Sequence, residues 1–271
     1  MSVDPLFDVN RQVVVVTGGM GQLGRRFAQT LRARGARVVV LDLAVDDAAV
    51  ARRYGQDLER LLFVQGDVTS AASLEQALAV VERTWGPPDA LINNAAIDAP
   101  PNAPPEENGP FETYPEESWD RIMTVNSKGV FLCARTFGAA MARAGRGSVV
   151  NIASIYGVIS PDQRIYEYRR AAGEPFFKPI AYGASKAAVL NVTRYLATYW
   201  AARGVRVNSL TLGGVYNRQD ERFVAAYSQR VPLGRMAREH EYDAAVIYLV
   251  SDASSYMTGA NLVIDGGWTA W

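Results

Sequence analysis

The sequence predicts a single doubly wound α/β domain: a seven-stranded parallel sheet with helices on both faces. Three observations predict it. Short, nearly all-apolar runs rich in β-branched residues recur from one end of the chain to the other, the pattern of strands buried on both faces. Stretches with helical periodicity separate most of those runs, as the crossovers of a parallel sheet require. The chain has no internal repeat and no linker rich in Gly or Ser, so residues 1–271 read as one domain.

The elements follow in order. Val13–Val16, four valines, is the first strand, and the amphipathic stretch Leu23–Arg34 is the helix after it. Val38–Leu41 and Leu61–Val64 are the second and third strands. Ser73–Thr84 is helical and leads to a short fourth strand, Ala90–Ile92. A long helical stretch, Trp119–Arg143, precedes the fifth strand at Ser148–Ile152. Tyr182–Ala202 is the next helix, before the sixth strand at Val205–Leu210 and a final one at Leu262–Ile264. Three connections are longer than the rest: 98–118, 155–180 and 212–230. Each follows the carboxyl end of a strand, the edge at which open α/β sheets bind ligands, so each is expected to shape a pocket. The first, with several prolines and acidic residues, reads equally well as a solvated excursion.

The first turn carries the strongest cofactor signal. Thr17-Gly18-Gly19-Met20-Gly21-Gln22-Leu23-Gly24 lies between a strand and a helix, where glycines let the backbone approach a pyrophosphate that helix N-terminal amides can bind. Asp42 closes the second strand, placed to accept hydrogen bonds from an adenosine ribose diol and to repel a 2′-phosphate. No Lys or Arg lies inside the turn or directly after Asp42, so NAD is expected rather than NADP; Arg25 and Arg37, nearby in sequence, count against that preference.

The chemistry signal is Tyr182-Gly183-Ala184-Ser185-Lys186, downstream of Ser154. A Tyr and a Lys four residues apart share one helix face. An ordinary tyrosine needs a shift of about 3 pH units, roughly 4 kcal/mol, to exchange protons near neutrality. A neighbouring ammonium and a positively charged nicotinamide are two sources of that shift.

Composition excludes other classes. Basic and acidic residues balance, 28 against 28, which gives no support to a nucleic-acid or anionic-membrane partner. One cysteine, Cys133, and one histidine, His240, argue against a disulfide, a Cys/His metal site and a histidine-based triad. The amino terminus lacks signal-peptide features and no apolar run is long enough to span a bilayer, so a cytoplasmic protein is expected.

With these residues in view, the chain resembles the compact, single-domain branch of the short-chain dehydrogenase/reductase family, a Rossmann-type fold, along nearly its whole length. The resemblance rests on the glycine turn, Gly66-Asp67-Val68, Asn93-Asn94-Ala95-Ala96, Asn126, Ser154, Tyr182 with Lys186, Asn208 and Asp265-Gly266-Gly267. It implies a catalytic set of Asn126, Ser154, Tyr182 and Lys186. In that set Ser154 binds the substrate oxygen, Tyr182 passes the proton, Lys186 binds the nicotinamide ribose and depresses the Tyr182 pKa, and Asn126 holds a relay water. It implies a cofactor site of Gly18, Met20, Gln22, Leu23, Gly24, Asp42, Asp67, Val68, Asn94, Ala95, Gly213 and Val215, together with Tyr182 and Lys186. The implied reaction is hydride transfer between nicotinamide and a secondary alcohol or ketone.

The chain departs from the family pattern in three places. Gln22 stands where compact members have the middle glycine, and Gly18, Gly21 and Gly24 alone give the spacing of extended members such as nucleotide-sugar epimerases and dehydratases. Length argues against that rival, because extended members carry a substantial segment after the Tyr/Lys helix. Leu212-Gly213-Gly214 replaces the usual Pro-Gly pair, with Asn217 in place of a threonine. The gap between Ser154 and Tyr182 is roughly twice the usual one and holds Arg164, Tyr166, Arg169 and Arg170. This segment reads either as a clamp for an anionic sugar or as a lid that packs its own aromatics with Arg and Glu paired in water. Tyr216 and Asn217 are candidates for the opposite wall. Stretches such as "SIYGVISPDQRIYE" and the "DGGWTAW" ending are similar to a bacterial branch found with surface-sugar and flagellin-modification functions, which implies a polyhydroxylated substrate.

The family pairs the equivalents of Trp119–Arg143 and Tyr182–Ala202 across a two-fold axis. That implies a homodimer or homotetramer, with Phe131, Ala134, Ala188, Leu196 and Trp200 as interface candidates. Trp268 and Trp271 are expected either between subunits or against their own domain. Cys133 is expected to be an inert packing residue, and His240 to begin a surface helix. A non-catalytic dinucleotide sensor is the other rival, disfavoured because a sensor has no use for a proton relay.

Overall fold

A computed structural model describes residues 4–98 and 104–271. Residues 99–103, part of the first long connection, lie outside the described residues. Seven strands, β1 Val13–Thr17, β2 Arg37–Asp42, β3 Leu61–Gln65, β4 Ala90–Asn93, β5 Gly147–Ser154, β6 Val205–Leu212 and β7 Asn261–Ile264, form one parallel sheet in the order β3-β2-β1-β4-β5-β6-β7. Strand residues alternate between the two faces. Val14, Val16, Val38, Val40 and Ile92 pack on one side against α1 (Gln22–Ala33), α2 (Asp47–Tyr54) and, further along the chain, the helix at Asp243–Val250. Val13, Val15, Val39, Leu41 and Leu91 pack on the other side against α3 (Ala71–Trp85) and the two long helical stretches. Burial on both faces is why these strands read as unbroken apolar runs.

The long stretch expected over Trp119–Arg143 is helical throughout but is not one regular helix. α4 (Glu116–Met123), α5 (Gly129–Cys133) and α6 (Ala139–Ala144) are joined by π-turns at Thr124–Lys128 and Ala134–Gly138. The widened turns shift the facing register, a frequent device near functional sites. The remaining helices are α7 (Glu167–Ala171), α8 (Ile180–Trp200), α9 (Glu221–Ser228) and α10 (Asp243–Val250). Trp200 closes α8 by lying over Gly138, where a Cβ would stand 2.6 Å from the indole ring.

The structure bears on three expectations about surface residues. His240 is exposed, in a turn at Glu239–Tyr242, but the helix that follows is interior, with Ala245, Val246, Ile247, Leu249 and Val250 buried. Trp200 and Ala134 are buried within the protomer and are therefore spent, whereas Phe131 on α5 stays half exposed and Tyr195 and Tyr199 on α8 are exposed. Trp268 is buried in its own domain, stacked on Tyr227 at 4.3 Å, while Trp271 is exposed. Cys133 is buried, and burial pushes its thiol up to about 12. Among the described residues no helix is long and apolar enough to cross a membrane, and no cluster of metal-ligating side chains gathers.

Candidate active site

The strand order reverses between β1 and β4, so the chain leaves these neighbours in opposite directions and opens a crevice at their carboxyl ends. The glycine turn occupies one side of it. Thr17 Oγ1 accepts from the Asn94 and Ala95 amides, both at 3.0 Å, and Asn94 Nδ2 donates to the carbonyls of Thr17 and Gly18 at 3.0 and 3.1 Å. Gly18 has φ +63°, and a Cβ on Gly24 would stand 2.1 Å from the Gly18 carbonyl oxygen, so this close turn excludes side chains at both positions. No side chain caps the amino end of α1, which leaves its first amides facing the crevice for a phosphate. The turn and the helix end fit a dinucleotide.

Asp42 closes β2 with its carboxylate accepting from the Met20 and Leu43 amides, each at 2.8 Å. These two bonds orient the group and leave lone pairs for ribose hydroxyls. Arg37 opens the same strand at the opposite edge of the sheet, roughly 17 Å away at the rise of a β-strand, and so does not bear on the adenosine end. Arg25 is paired with Glu239 at 3.6 Å. Asp67 accepts from the amide and hydroxyl of Thr69, and Val68 packs where Gly129 has no side chain. Gln22, the departure from the compact pattern, donates through Nε2 to the Tyr216 carbonyl at 3.1 Å and ties the glycine turn to the loop after β6.

Opposite the turn, β5 ends at Ser154, and α8 carries Tyr182 and Lys186 one turn apart. Lys186 is buried, donates to the Ile152 carbonyl at 2.9 Å and lies 5.9 Å from the centre of the Tyr182 ring. Burial lowers its pKa to about 8, against a smaller upward pull from Asp98. Ser154 Oγ accepts from the Tyr156 amide at 3.2 Å and acts on the Tyr182 phenol. The Ser154 hydroxyl favours the phenolate, but burial and the Asp98 charge outweigh it and hold the Tyr182 pKa above its ordinary value. The expected depression by Lys186 is therefore not the dominant effect in the protein alone, because desolvation of both groups is larger. The Asn126 carboxamide is committed to backbone and a neighbour: Oδ1 accepts from the Ile97 amide, and Nδ2 donates to the Ile97 carbonyl and to Ser185 Oγ. It sits in the first π-turn and does not line the cavity.

Between these two sides lies a cavity of about 640 Å³. Of the residues expected at the site, Leu23, Asn94, Ser154, Tyr166, Arg169, Tyr182, Lys186, Gly213 and Val215 line it. Tyr216 and Asn217 are exposed and stand outside it. Of the two readings of the 155–180 segment, clamp or self-packed lid, the side-chain pairings match the lid. Arg164 is largely exposed and paired with Asp162, Arg169 pairs with Glu174 and lies 4.0 Å over the Phe176 ring, and Arg170 donates to the carbonyls of Gln163 and Phe176. The segment is a lid whose Tyr166 and Phe176 pack with Phe223, Tyr227 and Trp268 in a small core of their own. Sequence reasoning missed Phe223 and Tyr227 as cavity wall, although their spacing of four in a helical run is the signal that finds them. It also missed Asp98 and Lys178, which pair across the cavity rim.

Comparison with known proteins agrees with this geometry. A family model described as enoyl-(acyl carrier protein) reductase matches residues 19–269. The chain is 33% identical to the NAD-dependent glycerol dehydrogenase of Listeria innocua, over 98% of this chain and 97% of the relative. It is also 33% identical to the D-threitol dehydrogenase of Mycolicibacterium smegmatis, over 99% and 97%. A short-chain dehydrogenase from Leptospira borgpetersenii, solved with bound NAD+, superposes with a TM-score of 0.85 at 31% identity, covering 99% of this chain and 97% of that one. Likeness of this extent in both sequence and fold runs from the first strand to the last, and the chain belongs to the short-chain dehydrogenase/reductase family.

Proposed function

We propose that the protein is an NAD(H)-dependent oxidoreductase that moves a hydride between nicotinamide and a secondary alcohol or ketone of a polyol or sugar. The observation that carries this reading is the convergence of Ser154, Tyr182 and Lys186 on one cavity bordered by the glycine turn. Bound in that crevice, NAD supplies the hydride acceptor. The side chains manage orientation and the proton. Tyr182 takes the proton from the substrate hydroxyl during oxidation and returns it during reduction. Ser154 hydrogen-bonds the same oxygen. Lys186 holds the nicotinamide ribose and contributes positive charge beside the phenol. Asn126, through Ile97, fixes the backbone after β4. Because burial favours the protonated phenol, oxidation gains rate as pH rises and reduction loses it.

Asp42 supports NAD over NADP, with its carboxylate where a 2′-phosphate would lie and Arg37 at the far edge of the sheet. The relatives named above supply the polyol class, and the cavity favours a neutral substrate. Three cations lining the cavity each meet a carboxylate: Arg169 and Lys178 of the lid with Glu174 and Asp98, and Arg222 of α9 with Asp220. We assign a homodimer or homotetramer built on the α4–α6 and α8 faces, where Phe131, Tyr195 and Tyr199 are exposed. The cytoplasm suits a chain with one buried, unpaired cysteine.

Incubation with NAD+ and a series of polyols from glycerol to hexitols should yield NADH. Tyr182→Phe should bind NADH as the wild type does, tighter than NADPH, and lose turnover on every substrate by about 10²–10⁴-fold, the range of general acid–base catalysis. Normal turnover by that variant removes Tyr182 from the reaction.

A further inference from the structure

The long connection between β4 and α4 brings an uncommitted amide to the cavity wall. Asn94, Asn108 and Gln219 are the side-chain amides among the residues that line the cavity. Asn94 donates to the carbonyls of Thr17 and Gly18, and Gln219 accepts from the Asn217 amide at 2.7 Å and donates to the Val215 carbonyl at 2.8 Å. Asn108 is only 5% exposed, and its Oδ1 is buried without a donor among the described residues. Three other side-chain atoms there are buried unpartnered, on Gln12, Asn93 and Tyr114, and none of those residues lines this cavity. A stranded acceptor is costly, and in a native fold it calls for a cause.

The backbone around Asn108 is held from two sides. Asn108 ends the turn at Pro105–Asn108, and its carbonyl accepts from the Phe177 amide of the lid at 2.7 Å. Phe177 precedes Lys178, whose Nζ stands 4.9 Å from the centre of the Tyr182 ring. The carboxylate of Glu107, the residue before Asn108, meets Arg121 of α4 at 2.8 Å. A shift of the loop that relieved the stranded oxygen would break these bonds. They hold the carboxamide on the lid side of the cavity, ready for a partner that comes from the cavity itself.

We propose that Asn108 is a substrate-binding residue: its carboxamide hydrogen-bonds a hydroxyl of the substrate other than the one oxidised, and so selects polyols over simple alcohols. The inference rests on the polyol-oxidoreductase reading. A hydroxyl both donates and accepts, so it pairs with the carboxamide whichever end the side chain presents. A carboxylate or phosphate only accepts and leaves Oδ1 stranded. A site built to bond a hydroxyl rejects the analogue that lacks it, because the buried group is then unpaired.

The test is a cycle between one side chain and one substrate hydroxyl. With NAD+, kcat/KM is measured for the polyol on which the wild type is most active and for its deoxy analogues, each lacking one hydroxyl away from the reacting carbon. One analogue should cost the wild type about 5–150-fold, the range for leaving a buried polar group unpaired. Asn108→Leu, of similar shape and without polar atoms, should lose about as much on the polyol, yet lose no more than about 2-fold further on that same analogue. NADH should bind this variant as it binds the wild type, by fluorescence titration, which also checks that it is folded. Asn108→Ala repeats the cycle with a smaller side chain. A wild type that loses less than about 2-fold on every deoxy analogue, variants that still discriminate as the wild type does, or variants with weakened NADH binding would each overturn the proposal. A wild type inactive on every polyol sinks the oxidoreductase reading and this proposal with it, whereas an active enzyme whose two losses simply add sinks only this one.

Discussion

At the scale of single residues, the site sets a buried lysine against the stability of the fold. Lys186 is a cation among apolar atoms, and burial brings it from 10.5 to about 8. That difference corresponds to roughly 3 kcal/mol of instability at neutral pH, where the lysine is protonated in both states. Lys186→Met keeps the length and drops the charge; it strands the Ile152 carbonyl, a loss of about 1 kcal/mol. The variant should therefore gain about 1–2 kcal/mol at pH 7, measured by urea melts without added dinucleotide, while losing turnover. The sign can be checked against pH. Between about 8 and 10.5 the unfolded lysine binds more protons than the folded one, so the wild type gains stability with rising pH and the advantage of the variant shrinks. An advantage that stays constant to pH 9.5 would mean that the ammonium is already accommodated without cost.

At the scale of elements, what the sequence made legible depends on whether a signal is local. β1, β2, β4, β5 and β6 were readable because each is a short run buried on both faces, half-exposed β3 and β7 because they are short apolar runs, and the glycine turn because strand, glycines and helix are contiguous. The helix after His240 was expected at the surface, and the burial of α10 went unread, since Ala245–Val250 is apolar nearly all round and carries no helical period to mark a solvent face. The π-turns at Thr124–Lys128 and Ala134–Gly138 leave no mark in a hydrophobic pattern that stays helical. The lid failed for another reason. Whether Arg164 and Arg169 face a ligand or a neighbour is decided by Asp162 and Glu174, and composition alone cannot say which side chains will pair. The Asp98–Lys178 pair joins positions 80 residues apart, beyond any local reading. Gln22 is the converse case: the sequence marked it as a departure, and the fold supplies the reason. Its bond to the Tyr216 carbonyl straps the loop after β6 to the cofactor turn. Gln22→Gly restores the compact-branch pattern but removes the strap. One hydrogen bond is worth about 0.5–1.5 kcal/mol, so NADH should bind about 2–10-fold more weakly by fluorescence titration. Unchanged or tighter binding would show that the loop needs no tether from the turn.

At the scale of the whole molecule, the same burial that shapes the site makes the fold depend on neutral phenols. Tyr54, Tyr156, Tyr166, Tyr182 and Tyr242 are all held well above their ordinary value of 10.0 by desolvation, and Tyr227 is pushed up to about 12. They are spread over both sides of the sheet and the lid: Tyr54 donates to the Gly19 carbonyl under the cofactor turn, Tyr242 donates to the Gly213 carbonyl, and Tyr227 accepts from the Gly214 amide behind the cavity. A raised folded pKa contributes stability that is fully present below pH 10 and is lost as pH climbs toward the folded value. Each such phenol removes about 1.4 kcal/mol per pH unit once its unfolded counterpart ionises. Six acting together would consume a stability of about 5–15 kcal/mol within roughly one to two pH units above 10. The protein should therefore unfold cooperatively in alkali, with the far-ultraviolet circular dichroism transition and a burst of tyrosinate absorbance at the same pH. Tyr242→Phe should make that transition shallower, since it removes one linked proton. Gradual ionisation near pH 10 with the secondary structure intact would mean that these phenols reach solvent in the folded chain, and the burial that also holds Tyr182 protonated would have to be given up with them.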